Sequence, residues 1–274
     1  MKQHHPGHAI ISGGSSGIGL AIARALTGMG WNISLIARTQ SRLDEAQQEL
    51  ERLRVGDNQL VYTISADVSD EKQAIHAMDT AMGRLGTPDL LITSAGMAHP
   101  GYFHELPLDV FRETMAVNYF GTLYLIKAAL PAMRGRKTGR VVMISSGAGL
   151  VGLFGYTAYG PSKFALRGLA ESLRAELKPD GIGVSIVYPP DTDTPQLAAE
   201  NLIKPAETRA ISSTAKTWDA DDVAAVILKG IRKDRFSITP GWEMTLLAVL
   251  HSLIGPLLFR YFDGLARKVK SASR

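Results

Sequence analysis

Seven short runs of β-forming residues alternate with amphipathic stretches along most of the chain, and this alternation limits the fold more than any other feature. The runs are 8–12, 32–37, 59–65, 89–93, 140–145, 183–188 and 236–239; between them lie helical patterns such as 17–28, 42–54 and 71–85. VVMIS and NISLIA are almost wholly apolar, the pattern of strands buried on both faces. Strand–helix–strand alternation with right-handed crossovers predicts a parallel sheet of about seven strands covered by helices on both faces. Composition agrees. With 45% apolar and 20% charged residues the chain is ordinary globular material, which excludes disorder, collagen-like repeats and a polytopic membrane protein. No linker, repeat or low-complexity segment divides it. Residues 1–240 read as one α/β domain with an excursion at 190–218, and 241–274 as an apolar helix with a basic tail.

The two ends differ. His4, His5 and His8 cluster at the N-terminus, where a polar chain end is expected rather than a metal site. No metal site is expected elsewhere, and the absence of cysteine excludes thiol catalysis and fits a reducing, cytoplasmic compartment. A net charge of +4 is too mild to argue for nucleic acid. At the other end, residues 244–259 read MTLLAVLHSLIGPLLF, sixteen mostly apolar positions interrupted by His251, Gly255 and Pro256. As a helix they span ~24 Å, short of the ~30 Å hydrocarbon core of a bilayer. Arg260, Arg267, Lys268, Lys270 and Arg274 follow. Two readings stay open: a helix lying in a membrane interface through 244–270, at a cytoplasmic face, or a helix packed on the domain or a second subunit.

The first β run passes directly into Ser12-Gly13-Gly14-Ser15-Ser16-Gly17-Ile18-Gly19 and then a helix pattern. Glycines allow a tight turn and close backbone approach to a pyrophosphate, and a helix N-terminus offers unpaired N–H groups to the anion. The unit is therefore read as a Rossmann-type dinucleotide site, with Gly13, Ser15, Ser16, Gly17, Ile18 and Gly19 on the phosphates. The second strand ends Ala37-Arg38-Thr39, with no carboxylate for an adenosine ribose. Arg38 is placed to fork onto a 2′-phosphate, reinforced by Arg42 one helical turn on, which predicts NADPH over NADH. Asp67 and Val68 follow the third strand, and Ala95 and Gly96 the fourth, so all four are expected in the same crevice.

Ser146 ends the fifth strand, and Tyr159-Gly160-Pro161-Ser162-Lys163 opens a strong helix. Tyr159 and Lys163, four apart, share one helix face. An ammonium beside the phenol is expected to lower its pKa from about 10, giving a proton donor and acceptor near neutral pH.

The glycine loop, Asp67, Asn118, Ser146, Tyr159 and Lys163, in this order and near this spacing, resemble the short-chain dehydrogenase/reductase family over most of the chain. The resemblance implies that Tyr159 protonates a carbonyl oxygen, Ser146 polarises it, Lys163 holds the nicotinamide ribose and Asn118 positions a water relay. It also places Pro189 and Thr194 beside the nicotinamide. Ser94-Ala95-Gly96 and Pro189-Pro190 depart from the family's usual Asn-Ala-Gly and Pro-Gly. Residues 147–159, 164–170 and 188–212 resemble a narrower branch acting on a long-chain 3-keto amine. That implies a lipid-like ketone as substrate, met by acids such as Asp191, Asp193 and Glu200 and by apolar groups in the excursion. Reduction of 3-ketoacyl thioesters or other hydrophobic ketones, and a non-catalytic NADPH-binding protein, remain the alternatives. The family resemblance further implies a homodimer or homotetramer through helices at 110–134 and 159–178.

Overall fold

In the computed structural model, residues 7–213 and 216–272 are described. His4, His5 and Arg274 lie outside them. The chain runs β1 (His8–Ser12), α1 (Gly17–Gly28), β2 (Asn32–Ala37), α2 (Gln40–Arg52), β3 (Val61–Ser65), α3 (Glu71–Leu85) and β4 (Leu90–Thr93). It continues through α4 (Leu108–Met115), a π-turn (Ala116–Phe120), α5 (Gly121–Arg136), β5 (Gly139–Ile144) and α6 (Tyr159–Leu177). It ends with β6 (Ile182–Val187), α7 (Pro195–Ile203), α8 (Ala206–Ser212), α9 (Ala220–Arg232), β7 (Ser237–Ile238) and α10 (Trp242–Ala272).

The sheet is wholly parallel, in the order β3-β2-β1-β4-β5-β6-β7. Successive residues of a strand face opposite sides, and the core divides accordingly. Ile10, Leu91, Val141 and Met143 pack towards α3, α5 and α6. Ile11, Leu35, Ile92 and Val142 pack towards α1, α2 and α9. Strand order reverses between β1 and β4, so the carboxyl ends of these strands open a crevice of the kind that holds a ligand.

Three sequence expectations change. β3 starts at Val61, not at residue 59. Gln59 is instead buried, its amide donating to the Thr27 and Trp31 carbonyls at 2.8 and 2.7 Å and plugging the α1–β2 turn. His8 is a core residue of β1, its ring between the Gly86 carbonyl and the Ser34 hydroxyl, and burial pulls its pKa down. The C-terminal helix does not break at Gly255 or Pro256. α10 runs 31 residues, about 46 Å at 1.5 Å per residue. A proline inside a helix removes one backbone bond. Here the inner face that Met244, Leu247, Ile254, Leu258 and Phe262 press against the α6 side of the core holds the helix across it.

Candidate active site

Each part of the site stands where a strand ends. Between β1 and α1, Gly13 adopts φ +66°, and a Cβ there would lie 2.6 Å from the backbone nitrogen of Ala95. Gly17 (φ +54°) would place a Cβ 2.9 Å from the Thr194 methyl. Side chains are thus excluded on geometric grounds, and the loop stays open as a cradle. Ser16 caps α1 without a side-chain bond to the helix and no acid stands in its first turn, so the helix N–H groups face the crevice unpaired by side chains. Gly19 does not line the crevice. It turns onto the Gly13 backbone, where only a hydrogen fits between helix and loop.

At the far rim Arg38, Thr39 and Arg42 are exposed and line the same cavity of about 470 Å³. Asp67 and Val68 also line it; one oxygen of Asp67 accepts from the Ser69 N–H and hydroxyl at 2.9 and 2.7 Å. Ala95 lines the opposite wall, held by its N–H to the Ser12 hydroxyl at 3.3 Å. Gly96 approaches both Asn118 and Lys163: a Cβ there would sit 3.3 Å from Asn118 Oδ1 and 3.5 Å from Lys163 Nζ.

Ser146, Tyr159 and Lys163 meet at the inner end. Ser146 opens a short turn and its Oγ accepts from the Ala148 N–H at 3.2 Å, which leaves the hydroxyl proton to donate. Ser145 Oγ donates to the Lys163 carbonyl at 3.0 Å, fastening the start of α6 to the end of β5. Lys163 Nζ donates to the Ile144 carbonyl at 3.0 Å and lies 5.5 Å from the Tyr159 ring centroid. Asn118 sits behind, in the π-turn between α4 and α5, a local irregularity common at functional sites. It is fully buried, accepts from the Met97 N–H at 2.8 Å and donates to the Met97 carbonyl and the Ser162 hydroxyl at 3.0 and 2.9 Å. Asn118 does not line the cavity, but these bonds fix the wall against which Lys163 stands.

The electrostatics of Tyr159 correct the expected sign. Burial first, then the Glu200 carboxylate, push its phenol above its usual pKa, with Asp191 adding to the rise. Hydrogen bonds from Ser146 and Gln196 only partly oppose it. Lys163 itself is pulled down to about 8 by burial, with Glu200 opposing. The protein's own groups therefore hold Tyr159 as a phenol, the form a general acid requires.

The excursion at 190–218 folds as α7 and α8 over the mouth of the site. Thr194 caps α7, accepting from Leu197 N–H at 3.2 Å, and its methyl touches the glycine loop. Pro189 accepts from Gly147 N–H at 3.2 Å and ties the end of β6 to the Ser146 turn. Of the acids expected here, Asp193 is exposed, Asp191 faces the buried Lys204 at 3.9 Å, and Glu200 is buried. Sequence reasoning missed Tyr156 and Gln196. The Tyr156 hydroxyl donates to Glu200 Oε2 at 2.6 Å, and Gln196 Nε2 to Oε1 at 2.9 Å. Only the i, i+4 spacing of Gln196 and Glu200 hinted at this.

A second cavity of about 410 Å³ adjoins the first at Ser146, Ala148 and Pro189. It runs beneath α10, between Val151, Leu153 and Ile211 on one side and Met244, Leu247, Ile254 and Phe262 on the other. No local sequence pattern marks this cavity.

A crossover sheet with a phosphate cradle and a Ser–Tyr–Lys cluster defines a nucleotide-dependent oxidoreductase, and the chain belongs to the short-chain dehydrogenase family. The family model described as short chain dehydrogenase matches residues 7–203. The chain is 42% identical over 251 residues to a Danio rerio protein called 3-dehydrosphinganine reductase, covering 91% of this chain and 76% of that one. It is 43% identical over 251 residues to a Bos taurus protein called 3-ketodihydrosphingosine reductase, with the same coverage, 91% and 76%. Among solved structures, an alcohol dehydrogenase from Thermococcus sibiricus complexed with 5-hydroxy-NADP superposes with a TM-score of 0.74 and 25% identity, covering 86% of this chain and 96% of that one.

Proposed function

We propose that this chain reduces the 3-keto group of 3-ketodihydrosphingosine, a long-chain keto amine, to dihydrosphingosine with NADPH. The observation that carries the substrate class is the apolar cavity beneath α10, which continues from the catalytic Ser146. A carrier-protein thioester reductase requires no such apolar extension. Relatives named for this activity, similar over nine-tenths of the chain, support the same reading.

The residues present fit a dinucleotide. Gly13 and Gly17 keep the phosphate cradle open, with Ser15, Ser16 and Ile18 at the α1 N-terminus around it. Arg38 and Arg42 would take the 2′-phosphate, Asp67 and Val68 the adenine side, Ala95 and Gly96 the ribose wall, and Pro189 and Thr194 the nicotinamide end. NADPH, when bound, supplies the hydride. Tyr159 gives its proton to the carbonyl oxygen, and Ser146 donates a hydrogen bond to that oxygen as charge develops. Lys163, steadied by the Ile144 carbonyl, would hold the ribose, and Asn118, fixed to Met97 and Ser162, would position a water relay behind Lys163 that returns the proton to Tyr159.

Chain length tests the substrate. If the hydrocarbon lies beneath α10, kcat/KM rises about fourfold per methylene until the cavity is filled, the factor equivalent to ~0.8 kcal/mol per buried CH₂. A flat response across the series contradicts it.

The C-terminal helix supports a membrane-surface role. Val249, Leu253 and Leu257, at four-residue spacing, are 72, 74 and 63% exposed, an apolar stripe opposite the face packed on the core. α10 is long and apolar enough to cross a membrane, but its inner face is committed to the domain, which favours lying on a bilayer. Arg260, Arg267, Lys268 and Lys270 would draw it to anionic lipid at a cytoplasmic face. The doubly substituted Leu253→Glu, Leu257→Glu chain is expected to stop co-floating with anionic vesicles while the unaltered chain floats; equal flotation refutes this contact. Exposed Phe120 and Phe164, on the π-turn and α6, support a homodimer or homotetramer through those helices.

A further inference from the structure

We infer that Glu200 is the subsite for the substrate's ammonium group and hence the residue that separates a keto amine from a plain ketone. The assignment rests on the reading of the substrate as a 3-keto amine.

Glu200 lies on α7, lines the catalytic cavity and is only 7% exposed. Both its oxygens accept hydrogen bonds, from the Tyr156 hydroxyl and the Gln196 amide, and both donors are neutral. Among the described residues no cation stands within ion-pair distance of Glu200: Lys204 on the same segment turns to Asp191, and the Lys163 ammonium acts on Glu200 only through its field. A carboxylate taken out of water without a direct ion-pair partner is costly, and hydrogen bonds from neutral groups offset only part of that cost. Such a group is poised for a positive ligand.

Its position matches the ligand. The Tyr156 ring centroid lies 5.6 Å from that of Tyr159, so Tyr156 holds Glu200 beside the proton donor. In a 2-amino-3-ketone the amine sits on the carbon next to the reacting carbonyl carbon, two bonds from it. A carbonyl oxygen at Tyr159 therefore brings the ammonium within reach of a carboxylate on the next wall. An amine beside a carbonyl titrates in the range of a peptide α-amino group, about 7.7–8.0, and a carboxylate partner keeps it charged. The hydrocarbon leaves the other way, under α10. Head group and tail are thereby read by different walls, and the carbonyl is fixed between them.

The competing role for Glu200 is mechanical: the Tyr156 bond pins α7 across the mouth of the site. Two variants separate the roles. Glu200→Gln keeps an acceptor for Tyr156 and removes the charge; Tyr156→Phe removes the bond and keeps the charge. The experiment measures kcat/KM with NADPH for the long-chain keto amine and for the same ketone lacking the amine, on each preparation. The ratio of the two values is insensitive to the folded fraction. In Glu200→Gln this preference is expected to fall at least ~30-fold, the lower end of what truncating one partner of a buried charge pair costs. In Tyr156→Phe it stays within about threefold. An unchanged ratio in Glu200→Gln overturns the assignment. If that variant does not fold, the unaltered chain decides: equal kcat/KM for amine and des-amino ketone overturns the ammonium subsite and leaves ketone reduction standing. Turnover of neither ketone overturns the functional reading and the assignment with it.

Discussion

Tyr159→Phe is expected to lower kcat by 10²–10⁴, the range that a positioned proton donor contributes, with the affinity for NADPH unchanged. The variant keeps the ring packed against Tyr156 and removes only the hydroxyl that meets Ser146 and Gln196. Cofactor affinity from quenching of protein fluorescence, and turnover from loss of reduced nicotinamide, separate the two effects. The phenol's raised pKa gives the prediction its direction. Burial, Glu200 and Asp191 all favour the protonated form, which is the form the proposed acid role requires. Turnover within a few-fold of the unaltered enzyme would assign the proton to another group.

Arg38→Ala is expected to weaken NADPH binding about 10- to 150-fold, the loss of one or two charge-assisted hydrogen bonds at ~1.5–3 kcal/mol, while NADH binding changes little. Arg38 is exposed at the rim, so its removal leaves no buried group unpaired and the fold is not at risk. Arg42 lines the same rim and limits the loss. The check is a pair of titrations on both proteins. Equal affinity of the unaltered chain for NADPH and NADH would refute the 2′-phosphate role of both arginines.

The framework was legible because its signals are local. Strand burial shows as unbroken apolar runs, and β1 and β2 fall on the residues expected; the glycine loop shows as a strand, a turn and a helix in succession. Tyr159 and Lys163 share a helix face by spacing alone. What stayed hidden arises between segments distant in sequence. The Tyr156–Glu200 bond joins residues 44 apart, and the rise of the Tyr159 pKa comes first from burial and then from the Glu200 and Asp191 carboxylates that α7 and the loop before it bring over the site. Read from the four-residue spacing, the Lys163 ammonium beside the phenol gives an expected shift downward. The apolar cavity is likewise invisible in sequence, because one wall follows β5 and the other belongs to α10. The C-terminal helix was underestimated for a related reason. Gly255 and Pro256 read as breaks, whereas Ile254 and Leu258 on either side of them anchor the helix to the core.

The central claim is tested most directly by incubating the full chain with NADPH and 3-ketodihydrosphingosine in mixed micelles and following both cofactor and product. Oxidation of one NADPH per dihydrosphingosine formed, with far slower turnover of a 3-ketoacyl thioester of matched chain length, is the predicted result. Rapid reduction of the thioester with no dihydrosphingosine formed would contradict it.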